Sequence, residues 1–189
     1  MSVEGIAKVS QYLTFKLENE EYALDVADVR EVLEQRINHI TKIPRTPDYL
    51  QGVINVRGSV VPVIDMRLKF NMDETVETID TCIIVIEVLL DGSRDGKTTI
   101  LGLLADSVQE VIDLEPDQIE AAPEVGNQLK TEFIAGIGKK DDKFIIILKI
   151  NKILTAKELH QVNTTASGIS LGDNIPEESG KIEEKIPVA

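Results

Sequence analysis

The segment Leu50-Gln-Gly-Val-Ile-Asn-Val-Arg-Gly-Ser-Val-Val-Pro-Val-Ile-Asp-Met-Arg-Leu68 is the most informative part of this 189-residue chain. Two runs rich in Val and Ile flank its centre, Arg57-Gly-Ser-Val60. A Gly-Ser pair between two β-branched runs predicts a tight β-hairpin. Because side chains alternate along a strand, Asn55 and Arg57 are expected on one face, close to the turn. Pro62 has no N–H to donate, so the second strand is expected at a sheet edge or with that position unpaired.

Strand patterns continue on both sides of this hairpin. Leu13, Phe15 and Leu17 alternate with polar residues, which predicts a half-buried strand. The segment Val26–Glu34 fits one helix face, yet it is short enough to be a turn that leads into a strand. The run that begins at Cys82 is apolar on both faces except for one glutamate, so we expect a strand buried on both sides.

The chain repeats part of its own pattern. Tyr49-Leu-Gln-Gly-Val-Ile54 aligns with Phe133-Ile-Ala-Gly-Ile-Gly138 at an offset of 84 residues, and the same offset places Val60–Ile64 on Phe144–Leu148. Upstream, Val26-Ala-Asp aligns with Leu104-Ala-Asp if Ser107 is an insertion. We infer two similar β units of about five strands each. The second copy has strand character, which favours a turn followed by a strand for Val26–Glu34.

The C-terminal part changes in character. Asn151 is a suitable cap for a helix over Lys152–Val162, in which Ile153 and Leu154 can face the core. From residue 163 onward Ser, Gly, Asn, Pro and Glu dominate, so 163–189 is expected to be a disordered acidic tail. Residues 1–10 are expected to be a flexible leader.

Charge and composition exclude several classes of partner. The formal net charge is −13, so the chain repels phosphate backbones, and nucleic acid and anionic lipid are unfavourable partners. No apolar run is long enough to span or insert into a membrane, and no secretion signal is present. We therefore expect a cytoplasmic protein. The single cysteine, Cys82, lies in an apolar run and is expected to be an inert core thiol.

No catalytic or metal-binding constellation is evident. Asp91-Gly-Ser-Arg-Asp-Gly-Lys-Thr98 lacks the first glycine of a phosphate-binding loop, and as a calcium loop it would place Gly102 where a bidentate carboxylate is required. His39 and His160 have no partners at metal-ligand or nucleophile–base spacing. We therefore expect no enzyme activity, no cofactor and no metal. Binding is the favoured class of function.

The central segment resembles the signature of the CheW family, the adaptors that couple bacterial chemoreceptors to the histidine kinase CheA. The likeness lies in Gly-Val-Ile-Asn-Val-Arg-Gly followed by Val-Pro-Val-Ile-Asp-Met-Arg, and it extends over roughly 12–162. It implies a mainly β fold of two SH3-like five-stranded barrels packed together, with short helices, one of them near the C-terminus. We expect a domain over 11–162. Its first barrel would be about 11–80 plus the terminal helix, and its second about 81–150.

The resemblance also implies two binding surfaces. One would hold the cytoplasmic tip of a chemoreceptor, and the other the regulatory domain of CheA, while the protein alone is a monomer. The receptor-binding residues implied are Val29, Glu31, Gly52 and Arg57. The kinase-binding residues implied are Gly102, Val108 and Val111.

The sequence departs from the family pattern at two places. Where relatives often carry a basic and an aromatic residue that help close kinase–adaptor rings, this chain has Glu120 and Val125. The hairpin loop Leu90–Lys97 also looks longer than usual. Alternatives stay open: a regulatory-domain-like module of a CheV or CheA relative, a homodimeric structural β protein, and, more remotely, a small enzyme that uses the Glu-rich turns.

Overall fold

Two β-sheets dominate the computed structural model, which describes residues 8–90, 94–123 and 131–172. The predicted leader lies mostly before this range, and residues 173–189 of the predicted tail lie after it. The strands are β1 (Ser10–Leu17), β2 (Glu20–Asp25), β3 (Val29–Glu34), β4 (Leu50–Val56), β5 (Ser59–Asp65), β6 (Cys82–Leu89), β7 (Thr98–Ala105), β8 (Ser107–Leu114), β9 (Ile119–Glu120), β10 (Ile134–Lys140) and β11 (Lys143–Leu148). The helices are α1 (Met66–Lys69) and α2 (Ala156–Gly172).

The strand order corrects the predicted division into barrels. One sheet has the order β8-β1-β2-β11-β10-β9, called barrel A here, and the other has the order β3-β6-β7-β5-β4, called barrel B. The hairpin β1–β2 therefore joins the later strands, and the hairpin β6–β7 joins the earlier ones. A boundary near residue 80 is wrong, because β1 pairs with β8 and β6 pairs with β3.

The internal repeat is confirmed by matching backbone details. The β4–β5 ladder has a register shift between Leu50 and Gly52, and the β10–β11 ladder has one between Ile134 and Gly136. Both pairs are related by the offset of 84 residues found in the sequence. Parallel pairs are equivalent too, since β5 runs beside β7 and β11 runs beside β2. Each barrel thus takes its hairpin from the other copy of the repeat.

Three apolar clusters hold this arrangement. The central core between the barrels includes Phe15, Leu24, Ile84, Ile86 and Leu103, all buried, and α2 adds Leu159 and Val162 to it. Barrel A encloses a smaller core that contains Tyr12, Ile112, Ile145 and Ile147. Barrel B encloses another one, with Ile54, Val63, Ile83, Val85 and Leu104. Along β6 the side chains alternate between the central core and the core of barrel B, which confirms that this strand is buried on both sides.

The central hairpin is present, with its turn one residue earlier than predicted. Arg57 and Gly58 form the two-residue turn with φ of 51° and 86°, as a type I′ turn requires, and Ser59 already belongs to β5. The Asn55 Oδ1 atom accepts a hydrogen bond from the Gly58 N–H at 2.8 Å and stabilises the turn. Pro62 is not at an edge, because β5 lies between β4 and β7. Pairing with β7 begins only at Val63, so the proline leaves no gap in that ladder.

The segment 26–34 forms a turn followed by a strand, as the repeat suggested. A 3-10 turn covers Val26–Asp28, and the Asp25 carboxylate accepts a hydrogen bond from the Ala27 N–H at 2.9 Å. Strand β3 begins directly after it. This outcome shows that the repeated copy was a better guide than the local helical spacing.

The C-terminal helix begins and ends later than predicted. Residues 150–152 form a 3-10 turn, and Thr155 rather than Asn151 caps α2. The Glu158 N–H donates to Thr155 Oγ1 at 3.2 Å, and Glu158 Oε2 accepts from the Thr155 N–H at 2.8 Å, a reciprocal capping box. The helix continues to Gly172, so the predicted disorder is wrong for residues 163–172. Thr99 Oγ1 donates to Asn163 Oδ1 at 2.9 Å, which ties this extension to barrel B.

Candidate binding surfaces

The Glu31 and Arg57 side chains meet on the surface of barrel B. An Arg57 guanidinium nitrogen lies 3.4 Å from Glu31 Oε2, and the Arg57 side chain is 84% exposed. Glu31 lies on β3 and Arg57 follows β4, the two outermost strands in the order of this sheet. Their contact shows that the sheet curls until its edges approach each other. The Glu31 side chain is 27% exposed. An ion pair with one partner as exposed as Arg57 adds little to stability, and the Arg57 guanidinium is open to a partner.

The other two predicted receptor-binding residues lie deeper. A Cβ atom on Gly52 would be 2.1 Å from the Thr41 carbonyl oxygen, and the φ of Gly52 is 146°, where a side chain is strained. Thr41 and Val53 exchange backbone hydrogen bonds of 2.8 and 2.9 Å beside it. Val29 is partly buried against the central core. Gly52 and Val29 therefore support the shape of this face, and Glu31 and Arg57 provide its charges.

The predicted kinase-binding residues do not form one cluster. Val108 and Val111 lie on β8, the outermost strand of barrel A, where Val111 is 53% exposed and Val108 packs partly against the central core. Gly102 lies on β7 in barrel B and is buried. A Cβ atom there would be 2.8 Å from Ile83 Cγ2 and 3.3 Å from Val63 Cγ2. Gly102 therefore preserves the core of barrel B and presents no side chain to a partner.

Among the exposed apolar side chains that the sequence analysis missed, Val32 and Phe144 lie on strands of the two barrels. Val32 on β3 is 42% exposed and is the repeat equivalent of Val111. Phe144 at the start of β11 is 65% exposed, and the Lys139 ammonium nitrogen lies 5.8 Å from the centroid of its ring. Lys139 Nζ also donates to Glu120 Oε1 at 2.6 Å. Phe144 directly follows a charged turn, which is the signal that could have identified it as exposed. Val125 lies outside the described residues.

The short helix α1 connects the two barrels through two cationic side chains. Arg67 binds both carboxylate oxygens of Asp106, with an Nε–Oδ1 distance of 2.8 Å, and Asp106 Oδ2 also accepts the Glu18 N–H at 2.7 Å. The hydrogen bonds that Arg67 donates to Asp106 raise the pKa of Arg67. Lys69 Nζ donates to Glu158 Oε1 on α2 at 2.7 Å. Burial alone would raise the pKa of Glu158, but hydrogen bonds from Lys69 and from the Thr155 backbone lower it.

Apart from these contacts, the described residues include no cluster suited to a metal ion and no exposed cysteine. Within the described ranges, no group of three or more His, Cys, Asp and Glu side chains could hold a metal ion. Cys82 is buried as predicted, and burial raises the pKa of its thiol to about 11, which keeps it protonated and unreactive. No helix in the described part of the chain is long and apolar enough to cross a membrane.

A comparison with family models decides the identity of this fold. The model of the CheW-like domain matches residues 11–158. The chain belongs to the CheW family. It is 35% identical to the chemotaxis protein CheW of Klebsiella aerogenes over 156 residues, which cover 82% of this chain and 88% of that protein. It is 34% identical to the chemotaxis protein CheW of Bacillus subtilis over 143 residues, covering 75% of this chain and 85% of that one.

The structural comparison agrees with the CheW assignment. The crystal structure of a scaffolding protein CheW from Thermoanaerobacter tengcongensis superposes with a TM-score of 0.68 and 38% sequence identity. The match covers 79% of this chain and 97% of that one. The mainly β fold with two SH3-like subdomains is therefore confirmed.

Proposed function

We propose that this CheW-family protein is a cytoplasmic, non-enzymatic adaptor that holds a chemoreceptor tip and the histidine kinase CheA at the same time. Family membership supports the pair of partners. The observation that carries the proposal is the separation of the two candidate faces. The Glu31–Arg57 pair lies on barrel B, whereas Val108 and Val111 lie on an outer strand of barrel A.

The receptor face is proposed around Glu31 and Arg57, with Val29 and Gly52 supporting it. The Glu31 carboxylate and the Arg57 guanidinium lie side by side and can pair with complementary charges on a receptor helix. Such charge pairs set orientation and specificity more than raw affinity. The exposure of Arg57 makes it the residue on which this contact depends most.

The kinase face is proposed on β8, with the regulatory domain of CheA as the partner. Val111 provides an exposed apolar contact, and β8 has an unpaired edge in the described sheet. Apolar contacts on an exposed edge favour association with another β structure. Gly102 is not part of this face, and its contribution is limited to the packing of barrel B.

The test is a binding experiment with two purified partners. Isothermal titration with a receptor-tip fragment and with the CheA regulatory domain should give one-to-one binding to each. Adding the second partner to the saturated first complex should give a ternary complex in sedimentation. Competition between the two partners would overturn the two-face proposal. Light scattering of the protein alone should show a monomer, and a stable dimer would favour the structural homodimer instead.

A further inference from the structure

Arg67 on helix α1 links the two barrels, and this link is present at only one of the two positions that the internal repeat makes equivalent. Helix α1 follows β5 of barrel B, and its Arg67 reaches Asp106, which lies between β7 and β8, and the β1–β2 turn at Glu18. One guanidinium thus joins the end of barrel B to two segments of barrel A. The Asp106 N–H also donates to the Lys16 carbonyl at 3.1 Å. The corner between β7 and β8 is therefore fixed by both the backbone and the side chain of Asp106.

The repeat provides a comparison within the same chain. The offset of 84 residues places Asn151 where the other copy has Arg67, and the aligned Ala-Asp pairs make Asp28 the equivalent of Asp106. Asp28 and Asn151 line an open cavity of about 330 Å³. Among the residues that the structure describes, Asp28 has no ion-pair partner. The two copies of the repeat therefore differ at this point: the arginine is present beside Asp106, which precedes β8, and absent beside Asp28, which precedes β3.

We propose that Arg67 is a positioning residue for the kinase face, acting through Asp106 to fix the start of β8. The inference rests on the proposed function, because it concerns how that face is held in place. Val108 lies two residues after Asp106 and pairs with Phe15 on β1, so a shift of the corner displaces Val108 and then Val111. The receptor face is not connected to Asp106 by any described hydrogen bond or ion pair. Arg67 is only about one-sixth exposed, so its ion pair is less screened than a surface pair.

The experiment compares Arg67→Gln, Asp106→Asn and Arg67→Lys with the control Arg36→Gln. Arg36 forms an exposed ion pair with Glu34 at 2.8 Å and touches neither face. The measurements are hydrogen exchange of the amides of residues 106–111 and the affinities for the CheA regulatory domain and the receptor tip. We expect Arg67→Gln and Asp106→Asn to accelerate exchange in β8 and to weaken kinase-domain binding about tenfold, or ~1.4 kcal/mol. Receptor binding should stay within about twofold, because no described hydrogen bond or ion pair connects Arg67 or Asp106 to the Glu31–Arg57 pair.

Arg67→Lys should restore part of the kinase affinity, because lysine keeps the charge but lacks the guanidinium fork. Unchanged exchange in β8 for both Arg67→Gln and Asp106→Asn would overturn the inference. So would an equal loss of both affinities, which indicates general destabilisation. If the wild-type protein binds no kinase domain, the proposed function fails, while the exchange measurement still decides whether Arg67 fixes β8.

Discussion

Lys69 Nζ donates a hydrogen bond to Glu158 Oε1 at 2.7 Å and joins helix α1 to helix α2. The same ammonium group lies 4.6 Å from the ring centroid of Tyr49 and 5.9 Å from that of Phe133. These two aromatic residues are equivalent in the internal repeat, so Lys69 lies between the two copies. A single cation therefore contacts both barrels and the C-terminal helix.

Lys69→Met should destabilise the protein by roughly 1–3 kcal/mol, because it leaves the partly buried Glu158 carboxylate without its main donor. Urea denaturation followed by circular dichroism measures the change. Lys157→Met is the matched control, since Lys157 is exposed on α2, the helix that carries Glu158. Equal effects of the two variants would contradict a special role for Lys69.

Acidification should reduce the contribution of Glu158 to the free energy of unfolding. The pKa of Glu158 is lower in the folded protein than its ordinary value of 4.5, so its contribution to stability is fully present above that value. The contribution is lost as the pH falls from 4.5 through the folded pKa. Melting curves of the wild type and of Glu158→Gln should therefore differ at neutral pH and converge in acid. A difference that stays constant with pH would show that the lost charge is not the cause.

Gly52→Ala should destabilise the fold by about 2 kcal/mol or more, because the new Cβ would collide with backbone atoms that cannot move aside. The Thr41 carbonyl oxygen would lie 2.1 Å away. Gly58→Asn is the control, since nothing lies within 4 Å of a Cβ there and asparagine tolerates positive φ. Chemical denaturation gives both values. A stable Gly52→Ala protein would mean that Thr41 does not approach this glycine in solution.

A chain that stops after Val162 should melt at a lower temperature than a chain that stops after Gly172. The shorter chain loses ten helical residues and the hydrogen bond between Thr99 and Asn163. Losing about 1 kcal/mol lowers the melting temperature by roughly 2–4 °C in a domain of this size. Differential scanning calorimetry compares the two shortened chains with the 189-residue chain. Identical melting temperatures would show that residues 163–172 add nothing to stability.

Charge reversal should separate the two faces. Arg57→Glu is expected to weaken receptor binding by about thirtyfold, the equivalent of ~2 kcal/mol, and to leave kinase-domain binding unchanged. Val111→Asp should do the opposite, because it places a carboxylate in an apolar contact. Titration of each variant against each partner gives four affinities. A parallel loss for both partners, with the circular dichroism intact, would mean that one shared groove binds both.

Local patterns in the sequence were sufficient for much of this fold. The Val- and Ile-rich runs around Arg57 predict the central hairpin, and the repeat correctly converts the ambiguous Val26–Glu34 into a turn and a strand. The division into barrels was wrong for a physical reason. A repeat shows which segments are equivalent, but the second partner of a strand such as β1, which pairs with β8, depends on long-range pairing that its own residues do not encode.

The candidate surfaces were only partly predictable. The sequence places Glu31 and Arg57 on strands and turns, but their contact depends on the curl of barrel B. Gly102 looked like a surface residue in the family pattern, yet the close approach of Ile83 makes it a core position. The helix extension to Gly172 was missed because Thr164, Thr165 and Ser167 have low helix propensity. Tertiary contact at Asn163 compensates for that weakness.

The strand order also sets a sequence of assembly during synthesis. All strands of barrel B, from β3 to β7, lie in one continuous segment, so this barrel can close as soon as residue 105 has emerged. Barrel A is split around that segment: its hairpin β1–β2 precedes the segment in the chain and pairs with β8 and β11, which follow it. Until those strands are made, Phe15 and Leu24 have only barrel B to pack against. Barrel B is therefore the template on which the N-terminal hairpin rests, and a nascent chain exposes the edge of β1 until β8 covers it.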